Sequence, residues 1–465
     1  MEIGELDLTF SAGEVRELSA GGVELVQRIF PTIRDTSWST RTPAVLHEAV
    51  TRTDGAGVTY AADLRYEVDG SALAVAVECT VVGGQRPTVR YRFTGTFDGA
   101  VDYNRIGLAV LHPLRQAGAA LRWHGARLLS AAGSGGTGRL PRLIAPQVVV
   151  DDRPSPFLGP YRHLEIGEPE RTVVLEFDGD DFEMEDQRNW SDASYKTYCT
   201  PLALGGPHRA APGTQVRQEV MVTVVPSGMP PADAPVEVAA PRHYMRVGVV
   251  VDAAAAPPTT DAGLDLAVDL GFDTLVIDTV EPGEPAVAAL TRAARQRRLE
   301  PVVRVLGDAP APRTPLANAV RWHAVPEGRV PQLVDLQLMD LTGRADVWFT
   351  ISPFVHANDA WSLSRAPESL PAMVATASRL APEARIWLGP LLFDTHEATH
   401  RFPPPPGSST RPRPADHAVD AWFARIVSLA RSTPLAGIAP LHLAELHNLR
   451  WRREMAAALT PRNGR

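Results

Sequence analysis

The sequence predicts a multidomain β plus α/β protein. An N-terminal antiparallel β-sandwich comes first, and a TIM-like (β/α) barrel, incomplete by the strands visible in the sequence, follows it. Three observations lead there. At 465 residues the chain exceeds one ordinary core. Its first half carries period-two strand patterns without intervening helices, and its second half alternates apolar strands with helical patterns. The predicted boundaries are a sandwich over 1–225, a linker over 226–243 and the barrel-like domain over 244–465.

The sandwich reading rests on alternation. Val89, Tyr91, Phe93 and Phe97 alternate with Arg90, Arg92, Thr94 and Thr96, which gives one dry face and one wet face. Val216, Val220, Val222 and Val224 repeat the pattern. Similar runs cover 57–66, 71–82 and 171–178, punctuated by Gly, Pro and Asp-Gly pairs, and many short strands of this kind pack as a sandwich. The linker PSGMPPADAPVEVAAPRH is rich in Pro and Ala.

Beyond the linker, apolar strands centre near Val247, Leu275 and Val302, spaced 28 (275−247) and 27 (302−275) residues apart. One helix opens at Asp261 and stops at Gly271, and Val287, Leu290 and Ala294 mark the buried stripe of the next. Further strands are predicted near 346–352, 385–391 and 436–441, with a seventh near 320–325. RFPPPPGSSTRPRP, residues 401–414, is a surface loop, because its prolines fit neither helix nor central strand.

Composition excludes several classes. The chain is 44% hydrophobic and 22% charged, with a net charge of -8, so it buries cores and offers no basic surface to nucleic acid or anionic membranes. MEIGELDLTF places acids where a secretion signal needs Lys or Arg, and no stretch reaches the length of a membrane span. Two cysteines, Cys79 and Cys199, make no disulfide framework. The expectation is a cytoplasmic protein with no cofactor, whose partner is a small molecule.

Of the 46 Lys plus Arg, Lys196 is the single lysine. A compact ammonium whose pKa burial can lower is something no guanidinium supplies, so its position draws attention to DFEMEDQRNWSDASYKTYCTPLAL, residues 181–204. If 182–188 is a strand, Glu183, Glu185 and Gln187 share one face, and Met184, Asp186 and Arg188 the other. Two carboxylates on one face beside a lysine is an arrangement that drives two pKa values apart, as acid–base catalysis needs. Trp190, Tyr195 and Tyr198 offer flat surfaces for a sugar ring. The bland alternative is a salt-bridged sheet edge with core aromatics.

EMEDQRNWSDASYKTYCTPLAL closely resembles the signature of the D-apionate lactonase family. The resemblance continues through GGVELVQRIFPTIRDTSWST (21–40), YNRIGLAVLHPL (103–114) and RLIAPQ (142–147), and ISPFVHAND (351–359) resembles a segment of the family's TIM-barrel domain. It implies a diverged, C-terminally shortened member, and a hydrolase that opens a small sugar lactone. Three functions stay open: lactone opening, glycoside hydrolysis by paired carboxylates, and non-catalytic sugar binding or assembly.

The candidate catalytic residues are Glu185, Glu183, Lys196 and His356. Candidates for substrate binding are Asp186, Arg188, Asn189, Trp190, Asp192, Tyr198, His112, Asn358 and Asp359. His112 and His356 gain their standing from the resemblance, and Asp278, which ends LVID, reads equally as a site residue or a loop cap. His396-Glu397-Ala398-Thr399-His400 matches a zinc-helix pattern, but Pro403 to Pro406 cut any helix short, so His396 and His400 read first as loop residues.

Overall fold

The computed structural model describes residues 1–38, 41–53, 57–68, 70–127, 135–150, 153–230, 232, 245–254, 260–281, 283, 285–307, 321–325, 330–352, 355–356, 359–391 and 416–442. The described chain divides into two compact units, an all-β one that includes Met1–Arg188 and Ala193–Val236, and an α/β one that includes Asn189–Asp192 and Glu237–His400.

The first unit holds two nine-stranded antiparallel sheets. One runs Ala44–Thr53, Gly57–Val68, Ser71–Val82, Thr88–Phe97, Gln215–Pro226, Arg171–Asp178, His163–Gly167, Ala120–His124 and Gly135–Arg139. Its alternation is the one the sequence shows: Val89, Tyr91, Phe93, Val220 and Val222 face the core, and Arg90 and Arg92 face solvent, where they pair with Glu219. The other sheet runs through the strands Glu14–Ala20, Val23–Asp35, Val101–Pro113, Ser194–Tyr198, Phe182–Asp186 and Leu158–Tyr161. Its inner strands Phe182–Asp186 and Ser194–Tyr198 are buried on both faces along their whole length, so no polar alternation marks them. Ile29, Ile33, Ile106, Leu108, Val110, Phe182 and Met184 fill the side facing the first sheet.

The second unit contains a seven-stranded parallel sheet in the order Arg321–Val325, Glu300–Leu306, Thr274–Thr279, Arg246–Asp252, Gly437–His442, Arg385–Leu388 and Asp346–Phe349. The helices Thr260–Asp269 and Pro285–Gln296 alternate with its first strands, and Val287, Leu290 and Ala294 are buried as their spacing predicts. Val250, Val276, Val302, Trp348, Trp387 and Ala439 form one apolar layer. The indole of Trp348 on one edge strand donates 2.6 Å to Nδ1 of His323 on the other, joining the two edges side chain to side chain. An eighth strand is not found among the described residues. Nor is any helix among them long and apolar enough to cross a membrane.

Candidate functional site

The site is built on register. Across the strands Phe182–Asp186 and Ser194–Tyr198, Glu183 stands opposite Tyr198, and Glu185 opposite Lys196. The Lys196 strand in turn pairs with Val101–Pro113, placing Tyr198 beside Ala109 and Lys196 beside Leu111. The next strand brings Arg34 directly opposite Arg105. Because side chains alternate between faces, Glu183, Glu185, Lys196, Tyr198, Arg105 and Arg34 all belong to the face turned away from the sandwich core.

Each polar group on this face is buried: Glu183 is 2% exposed, Glu185 5%, Lys196 4% and Arg105 5%. Lys196 Nζ donates to Glu185 Oε1 at 2.8 Å, and Arg105 Nη1 lies 3.6 Å from Glu185 Oε2. Gln187 Nε2 reaches Glu185 Oε1 at 3.5 Å, and Ser194 Oγ donates to Gln187 Oε1 at 3.2 Å. Glu183 differs. Its Oε2 accepts the Leu202 N–H at 2.9 Å and the Tyr198 hydroxyl at 3.2 Å, while Oε1 makes no hydrogen bond among the described residues.

The two carboxylates are therefore driven apart. Burial pushes Glu185 up, but Lys196, Arg105 and Arg34 outweigh it and hold the group at about 2, so it is ionised. Burial raises Glu183, helped by the negative charge of Glu185 and opposed by the Leu202 N–H, Arg105 and the Tyr198 hydroxyl. Burial is also the main cause that lowers Lys196, to about 8; Glu185 opposes this and Arg34 and Arg105 reinforce it. One carboxylate is a fixed anion, the other is protonated more easily than an ordinary glutamate, and the lone lysine titrates near neutrality.

Close approach of backbone shapes the carboxylate end. Gly159, on the strand beside Phe182–Asp186, has φ +140°, and a Cβ there would lie 2.9 Å from both Cα and Cγ of Glu183. At the other end Arg105 packs against two rings, with its guanidinium carbon 3.7 Å from the Tyr198 centroid and 5.0 Å from that of Trp38. Trp38 has φ +61°, an unusual backbone for a bulky side chain. The turn is held by the Trp38 N–H donating to the Asp35 carbonyl at 3.0 Å and by Asn104 Nδ2 donating to the same carbonyl at 2.9 Å.

The remaining predicted residues fall elsewhere. The strand ends at Asp186, not Arg188, because the Asp186 carboxylate accepts the Arg188 N–H at 3.2 Å and turns the chain into a 3₁₀ segment, Gln187–Trp190. Arg188 then grips Asp186 with Nε at 2.8 Å and Nη2 at 2.6 Å, and donates to the carbonyls of Pro141 and Arg142 at 2.7 and 2.9 Å. Tyr195 donates to the Pro141 carbonyl at 2.5 Å. This pair pins the 141–143 segment. His112 is on the core face, opposite to Glu185: its Nε2 is 2.7 Å from the Thr197 hydroxyl, which also bonds Tyr161 at 2.8 Å. Burial pushes His112 down to about 3, so it is neutral.

Residues Asn189–Asp192 group with the second unit. There the His356 Nδ1 meets the Asp192 carboxylate, and the Trp190 and His356 rings pack edge to face at 5.8 Å. Asn189 is buried in the same segment. Asp359 caps a helix, accepting the Ser362 N–H at 2.8 Å. Asp278 is paired with Arg304, at 2.7 Å on each oxygen. Asn358, His396 and His400 lie outside the described residues. Two residues of the cluster, Arg34 and Arg105, are not among the sequence candidates. The signal for them was an arginine embedded in an apolar strand, PTIRD and YNRIGLAVL.

An all-β unit with a buried acid–base face, followed by a parallel α/β unit, is thus the class of protein that fold and site define. Residues 1–227 match the D-apionate lactonase N-terminal domain. Over these residues the chain is similar to that family's N-terminal domain. The D-apionate lactonase of Brucella anthropi is 29% identical over 226 residues, which are 48% of this chain and 35% of that protein. The chain thus matches about a third of its curated relative's length. Among solved structures, the α-galactosidase of Lactobacillus brevis aligns with 92% of this chain and 72% of its own at 10% identity, TM-score 0.28. A glycoside hydrolase family 97 enzyme of Pseudoalteromonas sp. strain K8 aligns with 94% and 72% at 10% identity, TM-score 0.26. Likeness at this level says nothing about chemistry.

Proposed function

We propose that the chain is a carbohydrate hydrolase of the lactonase kind, opening a small sugar lactone at the Glu183–Glu185–Lys196 face. The observation that carries this reading is the asymmetry of the two carboxylates within a D-apionate lactonase domain: Glu185 is ionised and ion-paired, and Glu183 is raised with one oxygen unbonded.

In this reading Glu183 Oε1 takes a proton from water as the water oxygen bonds to the lactone carbonyl carbon. The carbonyl oxygen becomes an oxyanion, stabilised by the positive charge of Lys196 and Arg105. The bond from that carbon to the ring oxygen then breaks, and Glu183 returns its proton to the departing alkoxide. The product is a hydroxy-carboxylic acid that ionises in water. Glu185, held at about 2, is too weak a base for this work. Its part is to keep Lys196 and Arg105 aimed at the reacting carbonyl.

The same asymmetry is what glycoside hydrolysis uses, which keeps that reaction as the second reading. A panel of aldonolactones and aryl glycosides, assayed with the wild type and with Glu183→Gln and Lys196→Met, separates them. Lactone opening that falls in both variants is the expected result. Release of aryl aglycones without lactone opening would favour the glycosidase, and lactone rates unchanged in both variants would remove the mechanism.

A further inference from the structure

One guanidinium on this face is buried with its donors not all met. Arg34 and Arg105 stand directly opposite each other, 8% and 5% exposed, an arrangement of like charges that weakens a sheet. Lys196 and Arg105 both approach the same carboxylate, Glu185. Glu185 gives its short contact to Lys196 and only a 3.6 Å approach to Arg105. Arg105 Nε is fully buried and has no hydrogen-bond partner among the described residues. A guanidinium presents a flat fork of donors that fits a carboxylate, and leaving a buried one unmet is unfavourable. The rings of Tyr198 and Trp38 pack against it but offer its edge no acceptor.

We infer that Arg105, with the rings of Trp38 and Tyr198 packed against its guanidinium, is a receptor for the carboxylate of an aldonate, the ring-opened hydroxy acid. The naming of an aldonate rests on the lactonase reading; the need for an acceptor rests on the unmet edge of Arg105. The site then holds its product more tightly than its uncharged substrate, and turnover is restrained by product. Arg105 is in this sense a specificity residue for chain-terminal carboxylates, distinct from Glu183, which moves the proton.

The test uses the full chain. Thermal unfolding and calorimetry are run with aldonates from glycerate to gluconate, with the matching alditols and with inorganic phosphate. Aldonates are expected to bind and raise the melting temperature, alditols to leave it unmoved. Arg105→Gln and Arg105→Lys are expected to weaken aldonate binding by roughly tenfold or more. Alditols binding as well as aldonates, phosphate binding in their place, no aldonate binding at all, or wild-type affinity in Arg105→Lys would each overturn it. If Arg105→Gln does not fold, the wild-type contrast between aldonate and alditol still decides. Aldonate binding without lactone opening keeps the inference and removes the hydrolase reading, whereas lactone opening without aldonate preference does the reverse.

Discussion

Two buried arginines, one in each unit, show how differently this chain uses the same side chain. Arg304 in the parallel sheet is 0% exposed and fully engaged: Asp278 takes it at 2.7 Å on both oxygens, the Gly389 carbonyl accepts at 2.9 Å, and its guanidinium lies 4.6 Å from the Trp348 ring centroid. Arg105 in the sandwich is nearly as buried, yet it has rings packed against it, a carboxylate at 3.6 Å and an unmet Nε. A guanidinium with every donor met leaves nothing for a ligand to gain, whereas a buried unmet donor gains free energy from any acceptor that reaches it. Arg188, saturated by Asp186 and the 141–143 carbonyls, sides with Arg304 although it lies in the same motif as Glu185.

That contrast can be broken most forcefully at Glu183. Glu183→Gln is expected to lower lactone opening by roughly two to four orders of magnitude while leaving the melting temperature near that of the wild type; rates on the lactone panel check it. Arg304→Met and Arg188→Met should do the opposite, each costing about 3–5 kcal/mol of stability by leaving a buried aspartate unpaired. Urea unfolding reads this directly, and a loss under about 1 kcal/mol would mean that the pairs are not the structural fixtures their geometry suggests.

The pH dependence sharpens the comparison further. The rate should rise through the raised pKa of Glu183, as its base form appears, and fall above about 8 as Lys196 loses its proton. Stability carries the same groups with different signs. Glu185 is depressed from 4.5 to about 2, so its contribution is full above 4.5 and is lost as pH falls toward 2. Lys196 is depressed from 10.5 to about 8, so burial of its ammonium opposes folding below 8, and the protein gains stability as pH rises from 8 to 10.5. Melting curves of Glu185→Gln and Lys196→Met should flatten in those two windows respectively. The smallest expected effect is at Asp359, where Asp359→Ala removes a helix cap and about 1 kcal/mol, measured by the same urea unfolding.

Much of the fold could be read from the sequence, because one wet face leaves a period of two and one buried helix stripe leaves a period near four. The strands at 57–68, 71–82 and 88–97 and the helix stripe Val287–Leu290–Ala294 are of this kind. The site was legible only in part. Glu183, Glu185 and Lys196 were visible as a local pattern, since two adjacent strands pair them in register. Arg34 and Arg105 arrive from strands far away in sequence, and no local spacing connects residue 105 to residue 185. Asp186 and Arg188 misled for the opposite reason: charge was visible, but the face it pointed to depended on a turn at Asp186 that alternation alone does not reveal. His112 lies one residue from the site face and so points into the core.

On the proposed mechanism Glu183, and not its ion-paired neighbour Glu185, moves the proton. The pH–rate profile of lactone opening, measured side by side for the wild type, Glu183→Gln and Glu185→Gln, tests it most directly. The acid limb should disappear with Glu183→Gln, while Glu185→Gln keeps that limb and shifts the alkaline one as Lys196 loses its anion. An acid limb that survives in Glu183→Gln and vanishes in Glu185→Gln would contradict it.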